Sequence, residues 1–207
     1  AQKLIIGTAV VLGIALSLFL FIFLPAAIVG LIKPLTASYF VRNLSEGLVR
    51  VIILLAYMKL CTCVSDVKRL FSYHGAEHKT IFCYEHGKEL TVENVREESR
   101  FHPRCGTSFL LVVVVVSILV NSVVRLDNSF ARMGCPLLLL PIVVGISYEI
   151  NRWCGLHDNW LSAALSAPGK WLQPLTTNEP DDSMIECAIR ALELVIPDEK
   201  GSDEWGK

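Results

Sequence analysis

Apolar residues fall along this chain in long runs separated by short polar segments, a pattern of helices that meet lipid rather than of alternating strands. Leu4 to Leu24 holds twenty-one residues without a charge, about 31 Å of helix at about 1.5 Å per residue, which matches a bilayer core. Pro25 and a further apolar run to Ile32 follow in place of a signal-peptide cleavage site, so this run is expected to remain as a span. Gly47 to Ser65 is a second span, interrupted only by Arg50 and Lys59; Ser108 to Val124 is a third; Cys135 to Asn151, with Pro136 and Pro141, is a fourth. Prolines are tolerated in such helices because neighbouring groups satisfy the carbonyls they free. The expected fold is all-α: a polytopic membrane bundle of four transmembrane helices with small helical segments outside the bilayer.

Basic residues set the expected orientation. Lys68, Arg69, Lys79, Lys88, Arg96, Arg100 and Arg104 crowd the segment between spans two and three, whereas the opposite loops carry Lys33 with Arg42, and Arg125 with Arg132. The positive-inside rule then makes the central segment and both termini cytoplasmic. The chain divides into residues 1–65 (helices 1 and 2), 66–107 (a cytoplasmic helical segment), 108–154 (helices 3 and 4) and 155–207 (cytoplasmic or interfacial helices and a disordered tail).

Composition narrows the classes further. Hydrophobic residues make up 53% of the 207, charged residues 19%, and the mean hydropathy is +0.50; a disordered or collagen-like chain is excluded. Nineteen basic against twenty acidic side chains leave a net charge of −1, so nucleic acid is not an expected partner and the lipid bilayer is. Seven scattered cysteines, four of them on the expected reducing side, read as free thiols or metal ligands.

Shorter elements follow from capping signals. His74 to His86 predicts a helix stopped by Gly87, and Thr91 caps another that runs to about Arg100. Asp158 is a candidate cap for a helix to Ser166 that Pro168 and Gly169 would break, after which Trp171, Leu172 and Leu175 suit a membrane interface. A last amphipathic helix begins near Pro180, with Met184, Ile185, Ala188, Ile189, Leu192 and Ile196 at helical spacing. Glu46 and Arg50 stand four apart in span two and read as a structural ion pair.

Candidate chemistry lies in the central segment. His74-Gly75-Ala76-Glu77-His78 is an H-x-x-E-H pattern; on a helix the two histidines share a face and can bind one metal, with Glu77 beside them to take a proton from water. The same pattern would also arise from two solvent-exposed histidines. His102-Pro103-Arg104-Cys105-Gly106 sets an imidazole and a thiolate on a tight turn at the same membrane face, either as zinc donors or as a membrane-entry turn in which Cys105 packs as a small apolar residue. Glu149, in the inner turns of span four, is either a further ligand or the partner of Lys59, Arg152 or Arg104. Cys154, His157 and Asp158 have ligand-like types but form weak evidence of a site.

These segments, with Tyr73 to Thr80, Glu89 to Val95, His102 to Phe109, Gly145 to Glu149 and Thr176 to Asp182, resemble the YqhQ-like family of bacterial membrane proteins over nearly the whole chain. The resemblance implies a multi-pass topology and carries a prediction of metal-dependent enzyme activity, with no substrate. Family members usually have an extra glycine-rich segment ahead of the first span. Two functions are expected on these grounds. One is a zinc-dependent membrane hydrolase with His74 and His78 as ligands, Glu77 as general base, and His102, Cys105 and Glu149 as the pool of further ligands. The other is a non-catalytic adaptor with a structural zinc, whose C-terminal helix docks a partner in a membrane complex.

Overall fold

The computed structural model describes residues 2–32, 38–103, 105–124, 128–157 and 159–197. Among them all regular structure is helical: α1 (Gln2–Leu18), a π turn (Phe19–Phe23), α2 (Leu24–Gly30), α3 (Tyr39–Cys61), α4 (Ser65–Glu85), α5 (Val92–Glu97), α6 (Gly106–Ser122), α7 (Ser129–Leu156), α8 (Trp160–Thr176) and α9 (Asp182–Glu193). Gln2–Gly30 and Gly134–Leu156 are each long and apolar enough to cross a membrane; α3 and α4 meet that test only as a bent pair, and α6 is a shorter apolar helix of 17 residues. The chain forms two compact units, Ala1–Tyr57 with Val113–Ile146, and Met58–Val112 with Ser147–Lys207.

In the first unit the apolar rod from Gln2 to Gly30 carries one irregularity with a traceable cause. Pro25 has no N–H to return to the preceding turn, and the backbone widens into the π turn at Phe19–Phe23. The carbonyl of Phe21 accepts a hydrogen bond from Arg50 Nε at 2.8 Å instead, so an apolar segment keeps its backbone satisfied. Glu46, one turn before Arg50 on α3, also accepts from Arg42 Nε at 3.2 Å, so its carboxylate is shared between the two arginines that flank it. Gly47 lets α3 approach α6 so closely that a Cβ there would overlap the Ile118 side chain. Asn43 Nδ2 donates to the carbonyls of Asn121 (2.7 Å) and Val124 (3.3 Å), satisfying the C-terminal end of α6.

The second unit has a small core of its own, built from Ala76, Cys83, Val95, Ile185 and Ile189. It joins α4, α5 and α9 through the apolar stripe that the sequence predicts for α9. Helix α4 starts at Ser65 rather than His74, because nothing between those positions breaks a helix. It stops as expected, with Gly87 at φ +67° supplying the left-handed residue that closes a helix C-terminus. Thr91 Oγ1 accepts from Asn94 N–H and Asp181 Oδ1 from Met184 N–H, capping α5 and α9.

Helix α8 corrects the expected break. It runs unbroken through Pro168 and Pro174, capped by Asn159, whose side chain accepts from Leu161 and Ser162 while Ser162 Oγ accepts from the Asn159 N–H. Asp158, the expected cap, and the tail from residue 198 lie outside the described residues. A helix-interior proline costs about 3 kcal/mol, and packing offsets it here. Gly169 abuts Ser108, where a Cβ would stand 2.5 Å from the serine Cβ, and Gln173 is fully buried with Nε2 donating to His102 O at 2.6 Å and to Ser108 Oγ at 2.9 Å.

Candidate metal centre

The first two residues of the site come from α4. His74 and His78 stand one turn apart, their ring centroids 4.3 Å from each other, as i and i+4 on one face require. Each ring is oriented through Nδ1. The Thr176 carbonyl lies 2.8 Å from His74 Nδ1 and the Arg100 carbonyl 2.6 Å from His78 Nδ1. A carbonyl only accepts, so Nδ1 carries a proton in both rings and Nε2 is the nitrogen left for other partners, the orientation of metal-ligating histidines.

Gly75 makes the first of these contacts attainable. A Cβ at this position would collide with the Asn178 carbonyl, so only glycine lets residues 176–178 lie against α4. Asn178 then donates from its N–H to Phe71 O (2.9 Å) and from Nδ2 to Lys68 O (3.1 Å). Buried Lys79 anchors the other side, donating to the carbonyls of Arg96 and Glu98 and pairing with Glu179 at 3.1 Å.

Cys105 completes the group. Its carbonyl accepts from Phe109 N–H at the start of α6, and its sulfur lies 3.3 Å from His74 Nε2, 3.0 Å from Thr107 Oγ1 and 3.4 Å from Thr107 N. The candidate ligand atoms of His74, His78 and Cys105 all fall within 4.8 Å of one another. His78 is 3% exposed and Cys105 5%. Burial opposes ionisation of the thiol most strongly, yet donors from His74, His78 and Thr107 together outweigh it and hold Cys105 down at about 4. The same contact with Cys105 raises the pKa of His74, against the opposing effect of burial. Each shift favours the charged form of its group.

Two imidazole nitrogens and a thiolate are borderline-soft donors that suit zinc, and the 3.3 Å nitrogen–sulfur separation is compatible with the edge of a tetrahedron whose zinc bonds are roughly 2.0 and 2.3 Å. The donors open on a cleft of about 210 Å³ lined by Glu77, Ile81, Glu85 and His102, with Glu77 exposed at its mouth.

The other expected residues are placed differently. Buried His102 packs beside His78, ring centroids 5.9 Å apart, but donates from Nε2 to Glu85 Oε2 at 3.1 Å. Glu149 is not brought into the cluster; its carboxylate, 68% exposed, faces Arg152 at 3.7 Å one turn along α7. His157 Nδ1 bonds the Trp153 carbonyl and its ring stacks on that indole. Sequence reading missed Thr107, Gln173, Glu85 and the Thr176 and Arg100 carbonyls. One signal for them was available in Gly75, a glycine inside a helical motif that marks close backbone approach.

Fold and site together define an all-α protein with membrane-length apolar helices and a His-His-Cys cluster in which His78 and Cys105 are buried and His74 half-buried. The chain belongs to the family described as "Protein of unknown function (DUF1385)", whose model matches residues 1–198. It is 37% identical over 187 residues to "Uncharacterized protein YqhQ" of Bacillus subtilis (strain 168), covering 90% of this chain and 59% of that protein. The chain thus spans about three-fifths of the length of this curated relative. No solved structure matches it.

Proposed function

We propose that the protein is a zinc-dependent hydrolase of the bacterial cytoplasmic membrane, acting on a membrane-associated peptide or lipid-linked amide. One observation carries this reading: ligand atoms of His74, His78 and Cys105 converge within 4.8 Å while each histidine's Nδ1 is held by a carbonyl. His74, His78 and Cys105 would hold the zinc. When bound, zinc acidifies water and polarises a carbonyl group. Glu77 takes the proton from the attacking water and passes it to the leaving group, its exposed carboxylate free to meet substrate in the cleft. The buried walls and the carbonyl contacts of Thr176 and Arg100 keep the imidazoles in register and in one tautomer.

The membrane arrangement belongs to the same proposal. The bundle crosses four times, with α3 and α6 joining the two longer apolar helices, and both termini and residues 66–107 face the cytoplasm. The distribution of lysine and arginine supports that orientation. The adaptor reading needs a fourth protein donor to close the coordination shell. His102 is engaged with Glu85 and Glu149 with Arg152, which favours the catalytic reading.

Metal content measured beside function in a deletion strain tests the proposal. Glu77→Gln should keep stoichiometric zinc and lose about 10²-fold or more of activity, the usual scale for a general base. Full complementation by this variant with lowered zinc content would reject catalysis in favour of the adaptor.

A further inference from the structure

Helix α8 is built inside out for a soluble protein. Its buried positions are Ser162, Gly169, Leu172, Gln173 and Thr176, three of the five polar, and its exposed positions are mostly apolar: Trp160 is 80% and Trp171 77% exposed, with Leu161 and Leu165 each at 40%. At about 100° per residue, Trp160 and Trp171, eleven positions apart, point the same way. Ala164 lies between them on that face, while the polar residues gather on the opposite side. The only charge in the seventeen residues is Lys170, which falls at the flank where the two faces meet. Three residues link the start of α8 to the end of α7 at Leu156, and α7 contains a helix long and apolar enough to cross a membrane.

We infer that α8 lies in the bilayer interface, with Trp160, Leu161 and Trp171 covered by lipid and Lys170 at headgroup level. Water is a poor solvent for two nearly bare indoles on one face, whereas the headgroup boundary accommodates both their apolar rings and their N–H donors. Continuity with α7 delivers α8 to that boundary. A basic residue at the edge of the apolar face suits the anionic phosphates found there.

The polar side of the same helix holds the metal cluster: the Thr176 carbonyl orients His74, and Gln173 fixes the turn ahead of Cys105. The cluster is therefore carried at the membrane surface. If the hydrolase reading holds, its substrate is a group presented by the bilayer and not a freely diffusing solute.

Fluorescence of the full chain in vesicles with brominated acyl chains tests the inference. The emission lost in the Trp160→Phe, Trp171→Phe double variant should be the fraction that brominated lipid quenches, by about twofold or more, as for indoles seated in an interface. Aqueous iodide should leave it unchanged. Quenching of this fraction by iodide and not by bromine would overturn the inference. So would shielding from both quenchers with cross-linking between cysteines placed on α8, which would mark a second copy of the chain as the cover. The readout is independent of activity. Quenching retained in a His74→Ala, His78→Ala variant that keeps its metal would sink the zinc reading alone, and loss of quenching in an active protein would sink this inference alone.

Discussion

His74 on α4 is held through its Nδ1 by the carbonyl of Thr176, 2.8 Å away and 102 residues further along the chain. The last turn of α8 thereby sets the direction in which the first histidine of the H-x-x-E-H motif offers its other nitrogen. The contact exists because Gly75, the next residue on α4, leaves room for the Asn178 carbonyl.

Gly75→Ala is a direct test of that dependence. An alanine in a helix interior ordinarily stabilises by up to about 1 kcal/mol relative to glycine, but here the added methyl meets backbone that cannot rotate away. Net destabilisation of about 1–3 kcal/mol is expected, the scale of overpacking, together with weakened zinc binding. Thermal unfolding and metal content report the two effects; a raised midpoint with full zinc would show that residues 176–178 do not constrain α4.

Cys105→Ser should separate the proposed ligands from the residues packed around them. The serine hydroxyl is a harder and far less acidic donor than the thiol, so stoichiometric zinc is expected to fall to a small fraction. His102→Gln and Glu149→Gln should keep most of it. Retained zinc in Cys105→Ser with loss in His102→Gln would reassign the third ligand.

Glu98 makes the second unit sensitive to acid. Its carboxylate is 8% exposed on the side chain and pairs with Lys88 at 2.7 Å and His86 at 3.0 Å. The bond from Lys88, against the opposing effect of burial and with help from His86, holds its pKa below the ordinary 4.5. A carboxylate depressed on folding contributes stability that is present above the ordinary value and lost as pH falls through the folded value. Glu98→Gln should therefore lower the unfolding midpoint at neutral pH and flatten the acid limb below about 4.5. Parallel wild-type and variant curves across that range would exclude Glu98 as its source.

Arg50 and Pro25 should be energetically coupled. Arg50→Leu leaves the Phe21 carbonyl without its donor in apolar surroundings and is expected to cost about 1–3 kcal/mol. In a Pro25→Ala background the restored N–H can bond the preceding turn, so the same substitution should cost less. A double-mutant cycle in detergent measures the coupling directly; strict additivity would show that Arg50 does not compensate for the proline.

Much of the fold was legible because it depends on neighbours in sequence. The all-α class, the apolar rods, the stop at Gly87, the cap at Thr91 and the buried stripe of α9 are each set by residues within a turn or two of one another. The pairing of His74 with His78 is of this kind, since helical geometry alone puts positions i and i+4 on one face. Residues far apart were harder to rank. Sequence offered His102, Cys105 and Glu149 on similar terms as further donors, and their side-chain chemistry could not order them.

Tertiary structure places them differently. Gln173 binds the His102 carbonyl and Ser108, Glu85 takes the His102 ring, and the turn that follows brings Cys105 to His74. It also carried α8 through two prolines, because burial of Gly169 and Gln173 against Ser108 outweighs a local preference of a few kcal/mol. Local rules fix which faces a helix has; which distant group meets each face depends on contacts that close only when the chain is packed.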